Sequence, residues 1–332
     1  MSTITSTRVI EVSRAGGPEV LQLSTRPIAA LKEHEILVKV AAAGVNGHDV
    51  YHRRAGSHPT KPGETDVPGL EVAGTVVACG SGVTQWKVGD EVCSLVQGGG
   101  YADYCLCEES LTLPIPKGLS MVEAASLPET YATVWSNLYA DGALKPGGSL
   151  LVQGGASGIG VSAIQLCKNL GHRVFVTAGT DEKCKFCVSL GADRAINYKT
   201  QDFVAVVKEA NEGKGVDCVI DIIAGSYVAR ELDALALEGW IIFVSTSGGA
   251  KVEVNFADVM KKRARLMGNQ LRPRPLAYKA GVIAALKKTV WPLVESGKIK
   301  PVVDSTFALA DAVKSHERLD ASLHTGKIIL TM

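Results

Sequence analysis

Gly155, Gly158 and Gly160 fall close together in the run Val152-Gln153-Gly154-Gly155-Ala156-Ser157-Gly158-Ile159-Gly160, with Ser157 between them. Glycines at such spacing let a backbone turn sharply and come close to an anionic group, which a following helix then receives on its free N–H groups. Ser157 adds a hydroxyl. A second polar stretch, Ala41 through His52, carries Asn46, His48, Asp49, Tyr51 and His52. Its imidazoles and phenol are groups able to donate a proton to a reduced oxygen near neutral pH. A third feature is Lys183, which closely follows Val176-Thr177-Ala178-Gly179-Thr180 and carries a cation toward the same end of the chain's central region.

A glycine triplet alone is only a tight turn, so the surrounding elements decide its meaning. Ser149-Leu150-Leu151-Val152 is apolar and follows the turn Lys145-Pro146-Gly147-Gly148, as a buried parallel strand would. Val161, Ile164, Leu166 and Leu170 then mark a helix closed by Gly171. Further strands are expected at Arg173–Thr177, Asp217–Ile223 and Trp240–Ser245. Strands alternating with helices make an α/β, doubly wound parallel sheet. In that context the segment from Gly155 through Ala156, Ser157, Gly158 and Ile159 to Gly160 reads as a dinucleotide fingerprint, though its spacing is G-x-x-G-x-G.

The chain up to Pro128 follows another pattern. Short strands at Val9–Val12, Ile36–Val40, Ala73–Val77 and Asp90–Cys93 are separated by glycine and proline turns, as in a small β-rich barrel. The Ala41–His52 stretch is expected as a polar turn, and residues 54–69 as a Gly/Pro-rich loop. Pro128–Trp135 opens a helix, another spans Ala277–Glu295, and the tail from Lys300 to Met332 is expected to fold back onto the first region.

The 332 residues include 35 basic and 34 acidic side chains, a balance that argues against nucleic acid or an anionic membrane as partner. No apolar run is long enough to span a bilayer. The N-terminus lacks a basic start and an apolar core, so no signal peptide is expected and the location is expected to be cytoplasmic. Eight cysteines are scattered, and Cys184 and Cys187 form a C-x-x-C pair without a second pair nearby. Both are expected to be packing residues of one helix.

Gly16–Leu21, Pro68–Gly74, Val88–Val92, Gly154–Gly160 and Thr325–Leu330 together resemble the zinc-free quinone oxidoreductases of the medium-chain dehydrogenase/reductase superfamily. Leu111–Pro116 and Leu271–Arg274 resemble the stress-inducible, zeta-crystallin-like branch. The resemblance covers essentially the whole chain. It implies a GroES-like catalytic domain over 1–128, completed by 272–332, and a Rossmann NADP-binding domain over 129–271, with a cleft between them and a homodimer. It also implies reduction of quinones or similar activated acceptors by NADPH, with enone or enoyl-thioester reduction as the alternative. Some relatives of this fold are lens structural proteins or bind AU-rich RNA, so nucleotide binding without hydride transfer is a third reading.

Zinc-dependent relatives carry Cys where this chain has Asn46, and Gly-His-Glu where it has Gly69-Leu70-Glu71. Their third ligand falls near Glu129, and Gln97–Tyr101 leaves no room for a four-cysteine lobe, so no metal is expected. The resemblance places Asn46 and Thr133 at the nicotinamide end, and Ser245, Leu271 and Arg272 in cofactor contact. The end of the second strand has no carboxylate for a ribose 2′-hydroxyl; Gly179, Lys183 and Tyr198 match residues that surround a 2′-phosphate, which favours NADPH. Tyr51 and His58 are the candidate proton donors. Gly56-Ser57-His58 stands where the family shows Gly-x-Tyr, so His58 either replaces that Tyr or belongs to a solvated loop.

Overall fold

Alternating burial pairs Ser6–Val12 (β1) with Leu21–Pro27 (β2) in an antiparallel ribbon. Glu35–Val45 (β3) is the long strand of the first region and is followed by helix Gly47–Ala55 (α1). Glu71–Cys79 (β4), Glu91–Leu95 (β5), Tyr104–Glu108 (β6) and Thr112–Pro114 (β7) come next, then the helices Met121–Ala124 (α2) and Pro128–Trp135 (α3). This computed structural model describes residues 5–56 and 64–332, so His58 lies outside the described residues. The chain divides into two compact units, Met1–Ala132 with Arg272–Met332, and Thr133–Leu271.

Thr133–Leu271 alternates strand and helix: Ser149–Val152 (β8), Gly158–Asn169 (α4), Arg173–Ala178 (β9), Asp181–Ser189 (α5), Arg194–Asn197 (β10) and Phe203–Ala210 (α6). Val216–Asp221 (β11), Tyr227–Ala234 (α7), Leu235–Phe243 (β12), Phe256–Lys262 (α8) and Arg265–Gly268 (β13) complete it. The six strands are parallel in the order β10-β9-β8-β11-β12-β13. β8 is buried at every residue because helices cover parallel sheets on both faces, which is why it reads as a continuous apolar run. β11 stops at Asp221, two residues before the expected end; its carboxylate turns back to accept the N–H groups of Ile223 (2.6 Å) and Ala224 (2.9 Å).

After Leu276–Glu295 (α9), the strand Val303–Ala308 (β14), the helix Ala312–Asp320 (α10) and the strand Lys327–Thr331 (β15) return to the first unit. β15 pairs antiparallel with the end of β3, giving the sheet order β14-β15-β3-β4-β5-β7, with β6 also on β3. Ile36, Val38, Val72, Tyr101, Ile328 and Leu330 pack in its core.

The expected polar turn after Val40 is a strand and then a helix. β3 continues to Val45, and Asn46 caps α1, with its backbone N–H held by Asp49 Oδ2 at 2.8 Å. That reciprocal cap, Asn-x-x-Asp, outweighs the low helix propensity of Gly47, His48 and Asp49.

Candidate active site

In the second unit the backbone leaves β8 through Gly154 at φ +77°, a conformation that L side chains rarely adopt, and enters α4 at Gly158. Ser157 caps the helix: its oxygen accepts the Gly160 N–H at 3.1 Å. The hydroxyl is therefore first a helix cap. The fingerprint residues Gly155, Ala156, Ser157, Gly158, Ile159 and Gly160 thus form one turn with the first-turn N–H groups of α4, the arrangement that receives a pyrophosphate. Among them Gly155, Ala156 and Gly160 are buried. The turn is anchored from below, since Gly155 donates to Thr177 O at 2.8 Å and Gly154 to Thr177 Oγ1 at 3.2 Å.

Two carboxylates follow the end of β9 on the first turn of α5, Asp181 and Glu182, and the Glu182 side chain is hydrogen-bonded to that of Thr180. Asp181, in the first turn of α5, accepts the Asn197 side-chain amide at 2.7 Å. Tyr198 is partly exposed, and its hydroxyl stands 2.9 Å from where a Cβ on Gly179 would be. Lys183 lies on the first turn of α5, its N–H held by the Thr180 cap at 3.2 Å. Gly179, Lys183 and Tyr198 are therefore gathered at one strand end. Of the C-x-x-C pair, Cys187 is buried and burial pushes its thiol up to about 12, as expected of packing.

The first unit holds a network that no linear pattern announced. Glu71 opens β4 and Lys327 opens β15, the two strands that pair with the C-terminal end of β3, so their side chains meet across that end. Gly44 makes the space; any Cβ there would strike the Glu71 carboxylate. Lys327 Nζ lies 2.6 Å from Glu71 Oε1, and donates also to Val45 O at 3.2 Å and to the Asn46 Oδ1. Asn46 Nδ2 donates to Glu71 Oε1 at 3.0 Å, and the Glu129 N–H to Glu71 Oε2 at 2.9 Å. All but Glu129 are buried. Beneath them, Asp49 accepts from Gly69 N (2.9 Å) and Tyr101 Oη (3.1 Å), and Tyr101 Oη also meets His316 Nε2 at 3.1 Å. Burial pushes the Asp49 carboxyl up to about 6 against the pull of those donors, and pushes His316 down to about 3.

Five sequence candidates remain, Thr133, Tyr51, Ser245, Leu271 and Arg272, the last within electrostatic reach of Asp49. Thr133 is buried in α3, its carbonyl accepting the Asn137 amide at 2.7 Å. Tyr51 projects from α1 at 59% exposure, with its ring 6.3 Å from that of His48. Ser245 is exposed just beyond β12, and Leu271 is half-buried. Arg272 belongs to the first unit, where its Nε donates to Gln97 O at 2.7 Å. Sequence reasoning missed Glu71 and Lys327 as a pair. Their signal was present: a single charge opening each of two otherwise apolar strands.

The profile of the alcohol dehydrogenase GroES-like domain matches residues 32–117, and that of the zinc-binding dehydrogenases matches residues 158–288. The quinone oxidoreductase of Rattus norvegicus is 33% identical over 331 residues, covering 98% of each chain. The chain belongs to the medium-chain dehydrogenase/reductase superfamily, with quinone oxidoreductases among its homologues. A 2-haloacrylate reductase from a Burkholderia species is 30% identical, covering 96% of this chain and 97% of its own. The Escherichia coli quinone oxidoreductase solved with NADPH superposes with a TM-score of 0.88 at 30% identity, covering 98% of this chain and all of that one.

For a superfamily with zinc-binding members the donor set here is telling. A catalytic zinc wants three thiolate, imidazole or carboxylate ligands. The matching positions hold the Asn46 amide, a buried Leu70 and Glu129, while Lys327 brings an ammonium against Asn46 and Glu71. These residues do not fit a zinc ion.

Proposed function

We propose that the protein is an NADPH-dependent reductase of quinones or similarly activated acceptors, working without zinc. The observation that carries the reading is the furnishing of the β9 end, where Gly179, Tyr198 and Lys183 gather and Asp181 is tied to Asn197. A 2′-phosphate needs a cation and the absence of a facing carboxylate. The glycine turn and α4 N-terminus would hold the pyrophosphate, and the full-length likeness to quinone oxidoreductases supports the acceptor class.

When bound, NADPH supplies a hydride. The rest falls to the chain's own residues. Asn46, fixed by Glu71 and Lys327, offers an oriented amide rather than a metal ligand. Alcohol oxidation would need a Lewis acid to stabilise an alkoxide. A quinone accepts hydride because the anion formed is already delocalised, so a polar but metal-free site suffices. Tyr51 and His58 remain our candidates for delivering the proton, Tyr51 because α1 leaves it largely exposed. Asn46, Thr133, Ser245, Leu271 and Arg272 are proposed as further cofactor contacts. The first unit is taken as the catalytic domain and the second as the NADPH domain. The likeness to a 2-haloacrylate reductase favours activated alkenes as a second acceptor class.

The sheet edge supports a homodimer. β13 is an outer strand carrying an exposed Leu266, and the adjacent α8 exposes Phe256 and Met260. Light scattering at micromolar concentration should give twice the chain mass; a monomer would refute it. NADPH oxidation against panels of quinones and of conjugated enones, with and without chelator, tests the reaction. Quinone turnover unaffected by chelation is expected. Absence of quinone turnover, or its loss on chelation, would overturn the reading.

A further inference from the structure

A second buried polar network lies wholly within the Rossmann-like unit and takes no part in the chemistry above. Glu231, on α7, is completely buried. Its Oε1 accepts from Gln153 Nε2 at 3.0 Å. Gln153 Oε1 in turn accepts from Thr177 Oγ1 at 2.7 Å, and Thr177 Oγ1 receives the Gly154 N–H at 3.2 Å. This is a continuous relay from a helix carboxyl to the first glycine of the nucleotide turn. On its other side Glu231 is a hydrogen-bond neighbour of Asp221, whose oxygens already hold the N–H groups of Ile223 and Ala224. Ala224 sits at φ +59°, so the turn after β11 relies on those bonds for its shape.

Two carboxylates cannot hydrogen-bond each other without a proton, because neither has a hydrogen to donate. Glu231 Oε2 has no N–H or hydroxyl partner among the described residues. Asp221 faces two backbone donors and is the better place for negative charge, so the proton resides on Glu231. We propose that Glu231 is a positioning residue of the cofactor site: its neutral carboxyl joins the glycine turn to the turn after β11 and holds both ligand-facing edges in register. Three strand ends, those of β8, β9 and β11, are thereby fixed by one side chain at the sheet edge where doubly wound folds take their ligands.

Burial and the Asp221 charge push the Glu231 carboxyl up to about 9. The other titratable neighbour is Tyr227, one turn earlier on α7, whose phenol is itself pushed up by burial. Arg230 is turned away, its guanidinium 4.2 Å over the Phe203 ring and bonded to Asp202 at 2.9 Å. Above that pH a second charge appears beside Asp221, the shared bond is lost, and both turns loosen together. The sign for stability follows: the native state keeps a proton that the unfolded chain releases above about 4.5, so this group's contribution falls as pH rises from there to about 9.

The inference rests on the NADPH reading, and its test separates the two. NADPH affinity is measured by titration for wild type and Glu231→Gln from one unit below to one unit above pH 9, with hydrogen exchange of the peptides covering Gly154 and Ala224 followed in parallel. Gln keeps the relay without an ionisable proton. Wild-type affinity should weaken about tenfold over that range beyond any change in the variant, as expected for loss of one required proton. Exchange at both turns should rise together in wild type only. Parallel affinity profiles in the two proteins, with exchange rising equally or not at all, would overturn the inference. If neither protein binds NADPH, the cofactor reading fails and exchange alone decides: a coupled wild-type rise that Glu231→Gln abolishes sustains the positioning role, and any other pattern refutes it.

Discussion

The two units bury polar networks of similar depth but neutralise them differently. In the first, Glu71 is balanced by the Lys327 ammonium at 2.6 Å, a counter-charge contributed by a strand from the far end of the chain. In the second, Asp221 is balanced by a proton kept on Glu231. A counter-ion is insensitive to pH across the ordinary range and unforgiving of mutation. A shared proton behaves the other way: an amide can replace it, and alkali can remove it. The contrast says what each site is for, one holding Asn46 in a fixed orientation and the other keeping two turns in register.

The sharpest way to break the contrast is to remove the counter-ion. Lys327→Ala leaves Glu71 buried and unpaired, and urea unfolding should show a loss of about 3–5 kcal/mol. The double change Lys327→Met with Glu71→Gln should recover most of it; a double variant as unstable as the single would mean that packing, not charge, dominates. Tyr101→Phe removes the hydroxyl shared by Asp49 and His316, and the same assay should show a loss of about 1–3 kcal/mol.

The smallest effect is one of pH. Asp49, raised to about 6, makes the first unit lose stability as pH climbs from about 4 to 6, because only the native state holds that proton. His316, lowered to about 3, does the opposite between 3 and 6.5, since only the unfolded state is protonated there. Where the ranges overlap the two slopes oppose each other. His316→Leu should expose the Asp49 slope, with stability falling by up to about 1.4 kcal/mol per pH unit. A variant still most stable at the upper end of that range would contradict the assignment.

The doubly wound sheet was legible because β8, β9 and β11 each carry a short apolar run, and each is followed by a turn and a helix. The helix α1 was not, because its cap is made by Asn46 and Asp49 together while its own residues favour a turn. Strand-opening charges such as Glu71 and Lys327 look solvated when read singly. Only the antiparallel docking of β15 on β3 brings them together. Glu231 is harder still, since within α7 it resembles any surface carboxylate, and its burial depends on Gln153 and Asp221 from two other strand ends.

The central claim is that the β9 end selects NADPH. Steady-state kcat/KM with a turned-over quinone, measured for NADPH and NADH in wild type and Lys183→Ala, tests it directly. A charge-assisted contact contributes about 1.5–3 kcal/mol, tenfold or more in affinity. Wild type should therefore prefer NADPH by at least about tenfold, and Lys183→Ala should lose that preference through a raised KM for NADPH with NADH nearly unchanged. A wild-type preference for NADH, or equal effects of the substitution on both cofactors, would contradict the account.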